Sequence, residues 1–377
     1  MFQVIAHCPL GLEPVCADEI ATLGVELGEV RSGEGVVEFE ASLEDLFRSN
    51  LRLRCCERLS IALSEFEVRR FDQLIELTAA IPWDRWLDDR RRLLLRVTSR
   101  GSKLYHERAI AERMHGAIAR RLGRPIDLAK GDELDDPTRD VQLVIVRLEQ
   151  NQCQIRLDSS GARLHRRGYR QQTAGAPLRE TLASAIIRAC GWEPGQPFID
   201  PFCGSGTLVI EAAERALDLA AGRHRPFAME RWPFVDAAAL ATIRERSAGR
   251  AAAPACVLRG SDREAGAIRA ATGNAQRAGV LQAIQLEQQT VSGLRRPGPE
   301  NGWVITNPPW GKRLGGDDLG RLYAAFGRVL REEFSRYDLG MLCPDPSLLR
   351  GMGLDFEEGP WLNNGGQHVQ LVYARID

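Results

Sequence analysis

Apolar residues along this chain recur at two different spacings, and each change of spacing marks a new element. Residues 2–8 form an apolar run of strand length, and 35–40 form another around Val36, Val37 and Phe39. Residues 11–23 place Leu12, Val15, Cys16, Ile20 and Leu23 at helical spacing. A further helix is predicted over 42–50, with Ser42 as N-cap and Asp45 three residues on. Residues 1–60 therefore read as a small α+β module. A second unit follows over 61–160, with strands predicted at 93–97, 141–148 and 152–157 and helices at 71–80 and 105–122. From 161 to 377 the rhythm alters. Strands at 198–200, 257–260, 284–287, 303–306, 339–342 and 369–373 alternate with helices at 207–219, 264–278 and 319–334. That alternation predicts a doubly wound parallel sheet, with 223–254 as an insertion broken by Pro226, Trp232 and Pro233. The fold class is α/β: a parallel-sheet domain preceded by two α+β modules.

Composition alters this picture little, and charge alters it more. Apolar residues at 44% and charged residues at 27% are ordinary globular values and exclude a disordered chain. The longest apolar runs, such as 141–146, fall far short of the ~20 residues of a membrane span. Residues 1–12 show no secretory signal, so a cytoplasmic protein with no membrane partner is expected. The nine cysteines are scattered without a CxxC pair, and the six histidines form no HxH or HExxH pattern. Reduced, buried thiols and no metal are expected. Net charge is −1, but residues 1–50 hold ten acidic and two basic side chains, whereas 90–130 hold twelve basic and three acidic. Such bias suits a surface facing phosphates, although 47 Arg against 3 Lys also fits arginine used as general surface filler. Arg96, Arg100, Lys103, Arg166, Arg167, Arg170, Lys312 and Arg313 are the candidate nucleic-acid contacts. Gly101, Ser102 and Lys103, just before the helix at 105–122, are a candidate phosphate site at a helix N-terminus.

Three motifs carry chemistry. In the first, the strand ending at Asp200 runs through Pro201, Phe202, Cys203, Gly204, Ser205, Gly206 and Thr207 into a helix. Paired glycines let the backbone approach a ligand, and the helix start offers free N–H donors. Val209 stands where a G-x-G-x-x-G dinucleotide fingerprint needs glycine, and an acidic residue before the loop repels a pyrophosphate. The same acid suits a ligand carrying an ammonium and a sulfonium. In the second, Asp262 ends the next strand, placed either to accept from both hydroxyls of a ribose or to cap the following helix. The third is Asn307-Pro308-Pro309-Trp310. Asn307 Oδ1 and the Pro308 carbonyl could accept both N–H bonds of an amino group on an aromatic base, aiming its nitrogen at a methyl donor. Trp310 offers the base a face to stack on, worth ~1–3 kcal/mol in single-strand sites.

With Leu164-His165-Arg166-Arg167-Gly168-Tyr169-Arg170 and Ala176-Pro177-Leu178-Arg179-Glu180-Thr181, these motifs resemble the class I, Rossmann-like amino-methyltransferases. More narrowly, the chain is similar to the THUMP-containing guanine-N2 RNA methyltransferases, and within them to the large-subunit rRNA group L. The resemblance implies a ferredoxin-like module at 1–60, a THUMP RNA-binding domain at 61–160 and a methyltransferase domain at 161–377. It implies S-adenosyl-L-methionine as cofactor and 23S rRNA as partner, with a monomer assumed. Asp200, Pro201, Cys203, Gly204, Ser205, Gly206 and Thr207 would hold the methionine end, and Asp262 the ribose. Pro177, Arg179 and Glu180 would close the pocket, while Asn307, Pro308, Pro309 and Trp310 would hold the base. Relatives carry an Asp against the adenine amino group where this chain has Gln289 and Thr290, and Trp310 replaces a commoner Tyr. A tRNA guanine-N2 enzyme, an adenine-N6 enzyme and a non-catalytic RNA-binding factor are the other readings.

Overall fold

In the computed structural model the chain is described over residues 1–25, 27–31, 34–136, 138–171, 178–247, 254–310 and 316–377. The first unit comprises β1 (Phe2–His7), α1 (Glu13–Ala21), β2 (Leu27–Arg31), β3 (Val36–Ala41) and α2 (Leu43–Arg52). Ser42 caps α2 as expected, its hydroxyl accepting from the Asp45 backbone N–H at 3.1 Å. The second unit follows as β4 (Arg58–Glu67), α3 (Phe71–Ala80), β5 (Arg92–Arg100), α4 (Glu107–Leu122), β6 (Val141–Glu149) and β7 (Gln152–Asp158). A single seven-stranded sheet, in the order β2-β3-β1-β4-β7-β6-β5, runs through both. β4 joins them: its first half pairs with β1, and nearly its whole length pairs with β7.

The third unit contains α5 (Glu180–Ala189), β8 (Phe198–Asp200), α6 (Thr207–Ala216), α7 (Ala237–Arg246), β9 (Leu258–Asp262), α8 (Ala265–Ala278) and β10 (Gln285–Gln288). It continues with β11 (Trp303–Thr306), α9 (Gly316–Glu333), β12 (Asp338–Cys343), β13 (Glu357–Asn364) and β14 (Gln367–Arg375). The sheet order is β10-β9-β8-β11-β12-β14-β13, with β14 antiparallel to its neighbours in an otherwise parallel core. Strand order reverses between β8 and β11, and the crevice beyond that reversal is where open α/β sheets bind ligands. This is a Rossmann-like sheet closed at one edge by an antiparallel hairpin.

The segment expected to be an insertion is the wedge between units. Trp232 is buried, and its indole meets Trp86 edge-on at 5.1 Å and Phe2 at 6.5 Å. Phe227 meets Phe47 of α2 at 5.7 Å. Trp232 Nε1 also donates to Gln142 Oε1 at 3.1 Å, satisfying a polar atom that burial would otherwise strand. One apolar cluster runs from Val4 and Phe39 through Trp86 and Val146 to Leu208 and Ile305, so all three units share a core. No helix among the described residues is long and apolar enough to cross a membrane.

Candidate active site

Asp200, Asp262 and Asn307 lie at the carboxyl ends of β8, β9 and β11, three neighbouring strands. Asp200 is buried; its Oδ1 accepts from Thr306 Oγ1 at 2.6 Å and from the Phe202 N–H at 3.3 Å. Thr306 therefore ties the end of β11 to the end of β8, a link the motifs did not suggest. Burial raises the Asp200 carboxyl to about 7, with the Asp262 charge pushing the same way and the Thr306 hydrogen bond opposing.

The glycine loop is held from several sides. Gly204 and Gly206 have φ of 53° and 86°, and a Cβ on Gly206 would lie 3.0 Å from Ala271 Cβ. Only glycine meets both demands without strain. Asp262 Oδ2 accepts the Gly204 N–H at 3.0 Å while its Oδ1 accepts the Glu264 N–H at 3.0 Å. One oxygen of Asp262 thus braces the loop and the other the turn before α8, whose N-cap is Glu264, so Asp262 does not itself cap the helix; each oxygen keeps a free lone pair. Buried Asn274 of α8 donates to the Ser205 carbonyl at 3.0 Å. Pro201 and Cys203 are buried in the same turn, and Thr207 Oγ1 accepts from Arg170 at 2.8 Å.

Glu180 opens α5 beside this loop. Its Oε1 pairs with Arg170 Nε at 3.2 Å, while its Oε2 is buried with no hydrogen-bond partner. Burial raises this carboxyl to about 7 against the opposing charge of Arg170. An unpartnered buried acceptor on the wall of a glycine loop suits a ligand bearing an ammonium group. Arg179 faces elsewhere, bridging to Glu57 of the N-terminal part at 3.0 Å. Pro177 lies outside the described residues, as do Lys312 and Arg313.

In the turn after β11, Trp310 folds back so that its indole N–H donates to Asn307 Oδ1 at 2.9 Å. The tryptophan thus orients the Asn307 amide and leaves one Oδ1 lone pair for an incoming amino group. Pro308 is buried, and Pro309 and Trp310 are half-buried. Thr290 is exposed, and its hydroxyl meets that of Ser292 at 3.1 Å; Gln289 beside it has a buried Oε1 without a partner and is the better candidate for a base amino group.

The arginines separate into two kinds. Arg96, Arg100 and Lys103 are exposed on β5 and the loop after it, and Arg166 is exposed beside Asp135 at 3.1 Å. Arg167 is 1% exposed; it donates to the Leu164 and Arg54 carbonyls and faces Glu211 at 3.5 Å. Burial removes it from the nucleic-acid set. Arg170 leaves that set as well, because its guanidinium is used on Glu180, Thr207 and the Leu178 carbonyl. The phosphate site expected at Gly101–Lys103 is also corrected. α4 starts only at Glu107, and that residue's carboxylate takes the Ser99 N–H at 3.1 Å, putting an acid where a phosphate would sit.

Comparisons with known proteins agree with this geometry. Residues 3–60 match the RlmL ferredoxin-like domain and 167–347 match the RMKL-like methyltransferase domain. YpsC of Bacillus subtilis (strain 168), named "Putative RNA methyltransferase", is 34% identical over 97% of this chain and 93% of its own length. The chain belongs to the RMKL-like methyltransferases. Another relative, the ribosomal RNA large subunit methyltransferase K/L of Syntrophotalea carbinolica, is 35% identical over 98% of this chain. This RMKL-like methyltransferase spans about half of that relative, 53% of its length. Among solved structures, SMU.472, "a putative methyltransferase complexed with SAH", superposes with a TM-score of 0.87 at 29% identity, covering 100% of this chain and 98% of its own.

Proposed function

We propose that this RMKL-like methyltransferase transfers the methyl group of S-adenosylmethionine to the exocyclic N2 amino group of a guanine in 23S rRNA, in the cytoplasm. The observation carrying the reading is the side-by-side placement of the Asp200–Thr207 loop and the Asn307–Trp310 turn on adjacent strands. S-Adenosylmethionine supplies an electrophilic methyl on a good leaving group, so no protein nucleophile is required. Asp200, Glu180 and the loop N–H groups would hold its charged methionine end, and Asp262 its ribose. Asn307 Oδ1 and the Pro308 carbonyl would accept the two N–H bonds of the base, directing the nitrogen lone pair toward the methyl. The amine's proton passes to solvent after transfer. Residues 61–160 would act as a THUMP-type unit that anchors the RNA through Arg96, Arg100 and Lys103.

Mass spectrometry of nucleosides from 23S rRNA and tRNA, with and without the gene, tests the assignment. Loss of N2-methylguanosine from 23S rRNA alone is expected. Loss only from tRNA, or loss of N6-methyladenosine, would overturn the address or the base.

Two further outcomes follow from the charges. Replacing Arg100 and Lys103 by Ala is expected to lower the slope of log K against log salt by roughly 0.7–0.9 for each phosphate no longer neutralised. An unchanged slope in filter-binding titrations would take these residues off the RNA path. Asp200 predicts a pH dependence. With its carboxyl raised to about 7, the folded protein without ligand holds a proton that the unfolded chain has lost, so this group's stabilisation fades as pH rises from the ordinary carboxylate range to about 7. A cationic ligand favours the ionised form, so affinity should tighten by up to about tenfold per pH unit below pH 7 and then level off. Calorimetry on Asp200→Asn should show weaker binding with that part of the slope gone.

A further inference from the structure

Cysteines from three segments far apart in the sequence meet inside the N-terminal unit. Cys8 follows β1, Cys16 lies in α1, and Cys55 and Cys56 lie in the turn between α2 and β4. All four are buried: Cys8 is 8% exposed, Cys55 1%, and Cys16 and Cys56 0%. The sulfur atoms of Cys8, Cys16 and Cys56 lie within 4.8 Å of one another. We infer that Cys8, Cys16 and Cys56 bind one thiophilic d10 cation, zinc(II) or copper(I), as a structural staple of this unit.

The dimensions fit. A metal–sulfur bond of about 2.3 Å in a tetrahedral site sets ligand sulfurs about 3.8 Å apart. The trio already lies near that spacing and needs only a small contraction. The donor set is also selective, because buried soft thiolates favour zinc(II) and copper(I) over magnesium or calcium. The neighbouring acids do not compete for the ion, since their oxygens are used on backbone. Glu13 takes the Gly11 and Gly35 N–H groups, and Glu19 takes those of Arg54 and Cys55, all at 2.9 Å. These bonds fix the chain on either side of the thiols, as carboxylates around metal sites commonly do. The staple would join three segments, and Arg54, adjacent to Cys55, bridges to Glu214 of α6 at 3.2 Å. The ion would therefore sit one residue from the contact between the N-terminal and catalytic units.

Elemental analysis of the full chain, purified under reductant without chelator, tests this. About one zinc or copper per chain is expected, its identity telling the two ions apart. Stripped protein given cobalt(II) should show an intense thiolate-to-metal charge-transfer band in the near ultraviolet. Cys16→Val and Cys56→Ala should lose both metal and band, while Cys153→Ala, outside the cluster, should keep both. Wild-type protein holding less than about a tenth of an ion per chain, both as isolated and after incubation with zinc or with copper(I), and giving no cobalt band, would make the thiols packing alone. A disulfide among them in metal-free protein would have the same meaning. The wild-type measurements decide the matter even if a variant fails to fold.

Discussion

Asn307→Ala is expected to lower the single-turnover rate of methyl transfer by about 10²–10³-fold while leaving cofactor affinity within about twofold. The split follows from which groups touch what. The cofactor loop is braced by Asp262, Asn274 and Arg170, and through Asp200 it is tied to Thr306; Asn307 is hydrogen-bonded to Trp310 instead. On the proposed reading, removing the amide strips the acceptor for the base and leaves the cofactor cradle standing. Trp310→Phe separates two contributions of that residue, since it keeps an aromatic face but loses the indole N–H that orients Asn307. A fall of about tenfold in rate with little change in RNA affinity would assign the tryptophan to positioning. Loss of cofactor binding in Asn307→Ala, measured by calorimetry, would instead place that residue in the cofactor pocket.

Glu211→Leu should be the most destabilising single change outside the core, costing about 3–5 kcal/mol in chemical denaturation. Glu211 of α6 is 1% exposed and accepts from Ser184 Oγ at 2.6 Å and Tyr169 Oη at 3.0 Å, with Arg167 and Arg54 each at 3.5 Å. Leucine would leave two buried guanidiniums short of charge and two hydroxyls without an acceptor. Burial pushes the Glu211 carboxyl up, but Arg167, Arg54 and the two hydroxyls outweigh it and hold it below the ordinary value. Its stabilisation is therefore present above the ordinary carboxylate range and lost as pH falls through the lowered folded value. α6 begins at the glycine loop, so cofactor affinity should fall with stability. A variant as stable as the wild type would mean that the network is replaceable.

The chemistry was legible in the sequence because each motif is local. Asp200–Thr207 and Asn307–Trp310 are unbroken stretches at strand ends, where residue type and spacing state the geometry. Elements without a clean apolar–polar rhythm were harder to see. α5 is buried along almost its entire length, so no polar stripe marks its period. β13 is an edge strand carrying Gly359 and Pro360 at a register shift, composition that reads as a loop. β2 and α7 also escaped notice, as did β4, whose two halves serve different partners. Charge misled where its partner was remote. Arg167 and Arg170 look like phosphate contacts until Glu211 and Glu180 are brought against them.

The wedge at Trp232 has a consequence for substrate choice. Trp86, Phe2 and Phe47 pack on Phe227 and Trp232, which wedges the units bearing the exposed cations of β5 against the unit bearing the Asn307 turn and would set the span between them. The enzyme then works as a caliper. On the proposed reading, an RNA qualifies when its anchoring phosphates and its target base stand that far apart, whatever sequence lies between them. Lengthening the intervening helix by a turn should leave the RNA bound and unmethylated.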